Sequence, residues 1–192
     1  MTQRPKSRQP IPGTAEVAFK GKLFDVYRWT QELYNGQSAV FEKLSRPDTA
    51  YVIPVREDGR LLLVEQKQPG SEKYIGLIGG RIDTDEIPID GARRELAEEA
   101  GIIAASLTLW KSFQFLPKID WAIYIYFGHG LTWDNTTALD GGESIQIIDV
   151  SLEELLDLAA DESFGDVEVA LQLLRTEKHA EKFDRLKKLI YG

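Results

Sequence analysis

The run PIDGARRELAEEA lies between Ile87 and Gly101, and its punctuation predicts a helix from about residue 88 to residue 100. Pro88 suits a first helical turn, where a missing N–H costs nothing, and Gly101 suits a left-handed C-terminal cap. With successive side chains about 100° apart, Ile89, Ala92, Leu96 and Ala100 form one apolar stripe. Glu95, Glu98 and Glu99 occupy an adjoining arc, so three carboxylates converge beside buried surface. Arg94 and Glu98 make an ordinary i,i+4 pair, but Glu95 and Glu99 are a like-charged one. They also lie toward the helix C-terminus, where the macrodipole disfavours negative charge. A divalent cation reverses both penalties, whereas a solvated acidic face merely tolerates them; local physics leaves both readings open. Gly91, inside this helix, costs about 1 kcal/mol relative to Ala and is compatible with a later helix start.

The rest of the chain reads as strands around that helix. Residues 1–13 are basic and proline-rich, with no apolar segment of a secretory signal behind them, and are expected to be a disordered tail. TAEVAFK, KLFDVYRW and QSAVFEKL alternate like strands, and Asn35-Gly36 between the last two is a hairpin signal. Residues 14–45 thus form an antiparallel β arm too small to bury a core alone. AYVIPV and RLLLVEQ flank Asp58-Gly59 as a second hairpin, apolar enough for a buried sheet. SLTLWKSFQF, WAIYIYFG and SIQIIDV supply further strands. Two helices close the chain: SLEELLDLAA, opened by a Ser151/Glu154 capping box, and one amphipathic run from about Asp166 to Ile190. The order predicts an α/β chain of the α+β type, a mixed sheet with helices on its faces, with residues 46–192 as its main domain.

Composition narrows the chemistry. A length of 192 residues with 43% hydrophobic content fits one globular domain with a small appendage. No apolar run approaches the roughly 20 residues that span a bilayer, so a cytoplasmic location without a membrane partner is expected. The absence of cysteine excludes disulfides, thiolate nucleophiles and thiolate metal sites. A net charge of -8 argues against a nucleic-acid partner. It is compatible with a small phosphate-bearing substrate if carboxylates hold a hard cation such as Mg2+ between them. His129 and His179 are too isolated to suggest a metal pair, and Trp110, Phe113, Trp121, Tyr124 and Tyr126 read as core strand aromatics.

The spacing around the helix carries a stronger signal. Gly80, Glu86, Arg94, Glu95, Leu96, Glu98, Glu99, Gly101 and Ile102 fill every defined position of G-x5-E-x7-R-E-U-x-E-E-x-G-U, where U is aliphatic. An accidental match in a chain of this size is on the order of one in ten million from average residue usage. The segment resembles the Nudix box. That resemblance implies the Nudix fold, a mixed sheet sandwiched between helices, and hydrolysis of a nucleoside diphosphate linked to another group. It implies that Glu95 and Glu99 bind Mg2+ or Mn2+, that Glu98 binds metal or positions the attacking water, and that the Gly79 carbonyl completes the shell. Arg94 would support this catalytic centre through an ion pair with Glu86 that orients the helix, and Gly80 would let the loop approach closely.

The β arm resembles that of ADP-ribose pyrophosphatases and related nucleoside-diphosphate-sugar hydrolases, in which such an arm builds a homodimer. Pro117, fifteen residues past Ile102, matches a proline typical of ADP-ribose hydrolases, and Lys118 and Asp120 on the same loop are candidate substrate contacts. Gln68 stands where that subgroup commonly has Arg, GLIGG replaces ELPAG, and FLPKIDWA lacks the Ser-Pro-Gly and the following Glu of that group. Glu143 matches a loop glutamate that serves there as metal ligand or general base. The resemblance therefore implies cleavage of ADP-ribose to AMP and ribose 5-phosphate. GDP-mannose, NADH and nucleoside triphosphates are the alternatives, and a non-catalytic binding module is disfavoured because the box glutamates are all present.

Overall fold

The computed structural model describes residues 3–67, 70–133 and 144–192. These form eleven strands and four helices in two compact units, residues 1–49 with 112–123 and residues 50–111 with 124–192.

In the first unit, β1 (Glu16–Lys20), β2 (Asp25–Glu32), β3 (Ser38–Ser45) and the short β9 (Ile119–Asp120) form a sheet in that order. The β2–β3 pair is the hairpin expected from Asn35-Gly36, with Gly36 at a φ of 77° and Trp29 opposite Phe41. Strand β9 joins β3 in parallel, which makes the sheet mixed. Residues 3–13 carry no helix or strand, yet they are tied to the unit by side chains. Arg4 donates to Asp48 at 2.7 and 2.9 Å, and Lys43 donates to Ser7 Oγ at 2.6 Å and to the Gln9 carbonyl at 2.5 Å. Lys43 is itself buried, and burial pushes its ammonium pKa down.

The second unit holds most of the apolar core. A four-stranded sheet runs β7 (Ile78–Arg81), β4 (Thr49–Pro54), β10 (Ala122–Trp133), β8 (Ile102–Gln114), of which β8 and β10 run on into the first unit. A three-stranded one runs β11 (Ser144–Val150), β5 (Leu61–Lys67), β6 (Tyr74–Gly76). Every residue of β4 is buried, as are Leu61 to Val64 of β5 and Ala122 to Phe127 of β10. These are the near-continuous apolar runs expected of strands covered on both faces. The turn at Asp58-Gly59 forms, with Gly59 at a φ of 81°, but beyond a single Val55–Leu61 bridge its strands separate into the two sheets. Runs this apolar on both faces have no polar side to lock them together as a hairpin, and each finds better partners elsewhere. β5 pairs instead with β11 over its whole length, Leu61 opposite Val150 through Lys67 opposite Ser144.

Helix α1 (Pro88–Ala100) packs on β7 and β11. Helix α2 (Leu152–Ala159) begins at the expected box, with the Ser151 hydroxyl accepting from the Glu154 N–H at 3.1 Å and the Glu154 carboxylate accepting from the Ser151 N–H at 2.6 Å. The run predicted as one helix from 166 to 190 is two, α3 (Val167–Glu177) and α4 (Ala180–Tyr191), separated by His179 in an extended conformation. No glycine or proline marks that break, and the apolar spacing continues across it. Among the described residues no helix is long and apolar enough to cross a membrane.

A buried polar knot links α3 to the strand that leads into the box. Asp166, just before α3, turns its carboxylate away from the helix end and accepts from the Leu77 N–H at 2.6 Å. A Cβ on Gly76 would lie 2.8 Å from the same carboxylate, so only glycine fits there without a shift. Tyr51 of β4 donates its hydroxyl to Glu168 at 2.8 Å. Burial pushes the Asp166 carboxyl up to about 7, against the Leu77 N–H, which favours the charged form.

Candidate active site

Helix α1 has the predicted limits. Pro88 occupies its first turn, and Gly101 caps it at a φ of 62°, donating to the carbonyls of Ala97 and Leu96. Gly91, Ala92, Leu96 and Ala100 are buried, while Ile89 is half-buried. The helix does not start late to avoid Gly91. A Cβ there would come 2.9 Å from Glu86 Oε2, so the glycine leaves room for the carboxylate that the loop folds over the first turn.

Arg94 is the hub. Its Nε and Nη2 donate to the two oxygens of Glu86 at 3.1 and 3.0 Å, a bidentate pair. Nη2 also reaches the Arg81 carbonyl at 2.8 Å, and Nη1 bridges Glu95 at 2.8 Å and Glu98 at 3.0 Å. Glu86 accepts in addition from the Asp83 N–H at 2.9 Å. The Arg94 hydrogen bonds hold the Glu86 carboxyl below the usual carboxylate range, and Glu86 in turn raises the Arg94 guanidinium. The expected Glu86–Arg94 pair is thus formed, and it clamps the 81–86 loop to the helix.

Glu95, by contrast, has its carboxyl pushed up by burial, a shift that Arg94 only partly opposes. It lies against β7: a Cβ on Gly80 would fall 2.7 Å from all three atoms of its carboxylate. Glu99 accepts from the Gly79 N–H at 3.0 Å. Gly79 has a φ of 150°, and a Cβ there would overlap the Ala50 carbonyl oxygen, so both conformation and space require glycine. Gly79, Gly80, Glu95 and Glu99 therefore meet where β7 passes α1, and Glu98, half-exposed, stands at the rim beside Arg94.

The donor set of three carboxylates and a neighbouring backbone carbonyl is all hard oxygen, the chemistry that suits Mg2+ or Mn2+. In the described residues no three acidic side chains already surround a common point, because Glu95 and Glu98 are turned to the Arg94 guanidinium. Arg94 supplies the positive charge that lets the carboxylates stand together.

Pro117, Lys118 and Asp120 belong to the first unit. The Lys118 carbonyl accepts from the Leu44 N–H at 3.0 Å, and its ammonium sits 5.0 Å from the Phe41 ring centroid. Asp120 accepts from Arg4 and from Gln114, each at 3.3 Å. Gln68 and Glu143 fall outside the described residues. Of the aromatics, Trp121, Tyr124 and Tyr126 are buried as expected, but Trp110 and Phe113 are only half-buried. Arg81, whose carbonyl receives Arg94, and Asp83 were not singled out by the sequence: they contribute backbone groups, which side-chain patterns do not reveal.

Comparison with known proteins accords with this geometry. The model of the NUDIX domain matches residues 45–172. The ADP-ribose pyrophosphatase of Bacillus subtilis (strain 168) is 28% identical over 158 residues, covering 81% of this chain and 85% of that protein. The methanol dehydrogenase activator of Bacillus methanolicus is 27% identical over 168 residues, covering 85% of this chain and 91% of that protein. A crystal structure of an ADP compounds hydrolase shares the fold, with a TM-score of 0.70 at 24% identity over 91% of this chain and 94% of the other. A box helix bearing carboxylates and clamped by an Arg–Glu pair defines a class of diphosphate-cleaving hydrolase. The chain belongs to that class, the Nudix family of pyrophosphohydrolases.

Proposed function

We propose that this protein is a Mg2+- or Mn2+-dependent ADP-ribose pyrophosphatase. The observation that carries the proposal is the meeting of Glu95, Glu99, Gly79 and Gly80 at the β7–α1 crossing, with Arg94 locking Glu98 to the same helix. The Gly79 carbonyl and the carboxylates of Glu95, Glu98 and Glu99 would hold the cation. When bound, it offsets charge on the diphosphate oxygens and acidifies a water. Glu86 and Arg94 keep the helix and loop in register. Glu98 or Glu143 takes the proton as the water oxygen bonds to phosphorus and the bridging P–O bond breaks, releasing AMP and ribose 5-phosphate. Gln68, Pro117, Lys118 and Asp120 are the proposed substrate contacts. The 28% identity to an ADP-ribose pyrophosphatase over most of both chains supports this substrate. One relative is named as an activator of a dehydrogenase rather than as a hydrolase, but the complete set of box carboxylates here favours catalysis.

The deciding measurement is a panel of ADP-ribose, GDP-mannose, NADH and nucleoside triphosphates, with products read by mass spectrometry with and without Mg2+. ADP-ribose is expected to give AMP and ribose 5-phosphate, with solvent oxygen in one of the two phosphates, and no turnover after chelation. Triphosphates cleaved more than about tenfold faster than any sugar nucleotide, about 1.4 kcal/mol of transition-state preference, would replace this reading with a triphosphate-hydrolysing one.

The proposal includes a homodimer built on the arm and a cytoplasmic location, where the nucleotide substrate is at hand. Val17 and Phe19 of β1 and Val40 of β3 are 52%, 60% and 65% exposed, an apolar cost that a two-fold interface would remove. Sedimentation at micromolar concentration is expected to give twice the chain mass of 21.7 kDa, and a monomer there refutes the dimer.

A further inference from the structure

We propose that the groove between β8 and helices α3 and α4 binds a small phosphate-bearing aromatic molecule, a nucleotide, at a site separate from the box. Its walls are Trp110 and Lys111 of β8, Thr176 of α3, and Lys182, Arg185, Lys188 and Leu189 of α4, around a space of about 450 Å³. This volume lies within the range of roughly 300–1,000 Å³ typical of small-molecule sites.

Charge is the first argument. Lys182, Arg185 and Leu189 recur at i, i+3 and i+7 and so share one stripe of α4, with Lys188 beside it. Among the described residues, none of Lys111, Lys182, Arg185 and Lys188 lies within 4.0 Å of a carboxylate, although the chain carries a net charge of -8. Other surface cations here do find partners: Arg93 pairs with Asp90, Arg56 with Asp149, and Lys178 with Glu177. Four like charges around the rim of one mostly apolar groove repel each other, and the repulsion is strongest where solvent is reduced. Lys111 records it: burial first, then Lys182 and Arg175, push its ammonium pKa down. A phosphate seated among these groups would turn the repulsion into charge-assisted hydrogen bonds.

The apolar part is the second argument. Trp110 is half-buried, fixed edge-on against Phe127 at 6.0 Å, with the Lys111 ammonium 5.3 Å from its ring centroid. The Trp110 indole on β8 and Leu189 on α4 give the groove its apolar lining, which offers an aromatic base a stacking partner beside the cationic rim. A nucleic-acid strand fits less well, since the net charge repels a long polyanion and the groove admits a single nucleotide.

The test is calorimetric titration of the full chain with AMP in chelator at low salt, where no cation can recruit the phosphate to the box. AMP is expected to bind, and the double variant Lys182→Glu/Arg185→Glu to weaken it at least about tenfold. Both residues are exposed and without an ion pair among the described residues, so the variant should hydrolyse its substrate at the parent rate. Adenosine and inorganic phosphate, titrated separately, are each expected to bind at least about tenfold more weakly than AMP, because each keeps half of the recognition. No binding of AMP up to millimolar concentration, unchanged binding in the double variant, or equal binding of adenosine or of phosphate overturns the proposal. None of these readouts depends on what the box hydrolyses, so failure here is distinguishable from failure of the pyrophosphatase reading.

Discussion

Glu98→Gln and Glu99→Gln are each expected to lower turnover by at least about 100-fold while leaving the fold intact, the cost of losing one charge that stabilises the transition state. The geometry explains why folding should survive. Gln at 99 keeps a carbonyl oxygen for the Gly79 N–H, now 3.0 Å from the carboxylate. Glu98 is half-exposed, and its described bond is an i,i+4 pair with Arg94, worth a few tenths of a kcal/mol. A large loss of kcat with an unchanged thermal midpoint would therefore report lost cation binding or lost proton transfer. Near-normal turnover in both variants would remove the box from the chemistry.

The second large effect concerns stability. Asp166→Asn is expected to stabilise the protein above neutral pH by roughly 2 kcal/mol and to have little effect near pH 4. The Asp166 carboxyl is pushed up to about 7, so the folded state binds its proton more tightly than the unfolded chain does. That contribution to stability is fully present below the ordinary carboxyl range, declines as pH rises, and is lost once pH has passed through about 7. The residue as a whole is half-buried, so the figure is set below what full burial would give. Tyr51 from β4, Glu168 from α3 and the Leu77 N–H are the groups that face this carboxylate. Asn keeps an oxygen for Leu77 and carries no charge, so it mimics the protonated acid. Denaturant melts of both proteins from pH 4 to pH 9 would show the difference growing with pH. A pH-independent difference, or a less stable variant at pH 8, would contradict it.

What could be read from the sequence follows from the range of the interactions. Pro88, Gly101 and the Ser151/Glu154 box act within a turn of themselves, and the helix ends they mark are where they were expected. The Glu86–Arg94 clamp joins residues eight apart, still within one motif. The Asp166–Leu77 bond joins residues 89 apart and could not be anticipated from spacing. The same holds for the Asp58-Gly59 turn: its sequence specifies a reversal, but which neighbour each strand takes is decided by the whole core. Nothing local opposes a helix at His179, so the break there carries no sequence mark, and the absent side chain of Gly91 leaves the space that the Glu86 carboxylate approaches. Trp110 reads as a core strand aromatic by residue type, but on β8 it is only half-buried and lines the groove beside α4.

Every hydrogen bond described above for Glu86, Arg94, Glu95, Glu98 and Glu99 begins and ends between residues 79 and 99. The carboxylates proposed to hold the cation, with the Arg94 hub that braces them, are thus written in one contiguous stretch of gene. Divergence in the loops that would choose a leaving group can proceed without disturbing it. A lineage carrying this stretch is free to change its loops while keeping the braced helix, and recombination would transmit that scaffold whole.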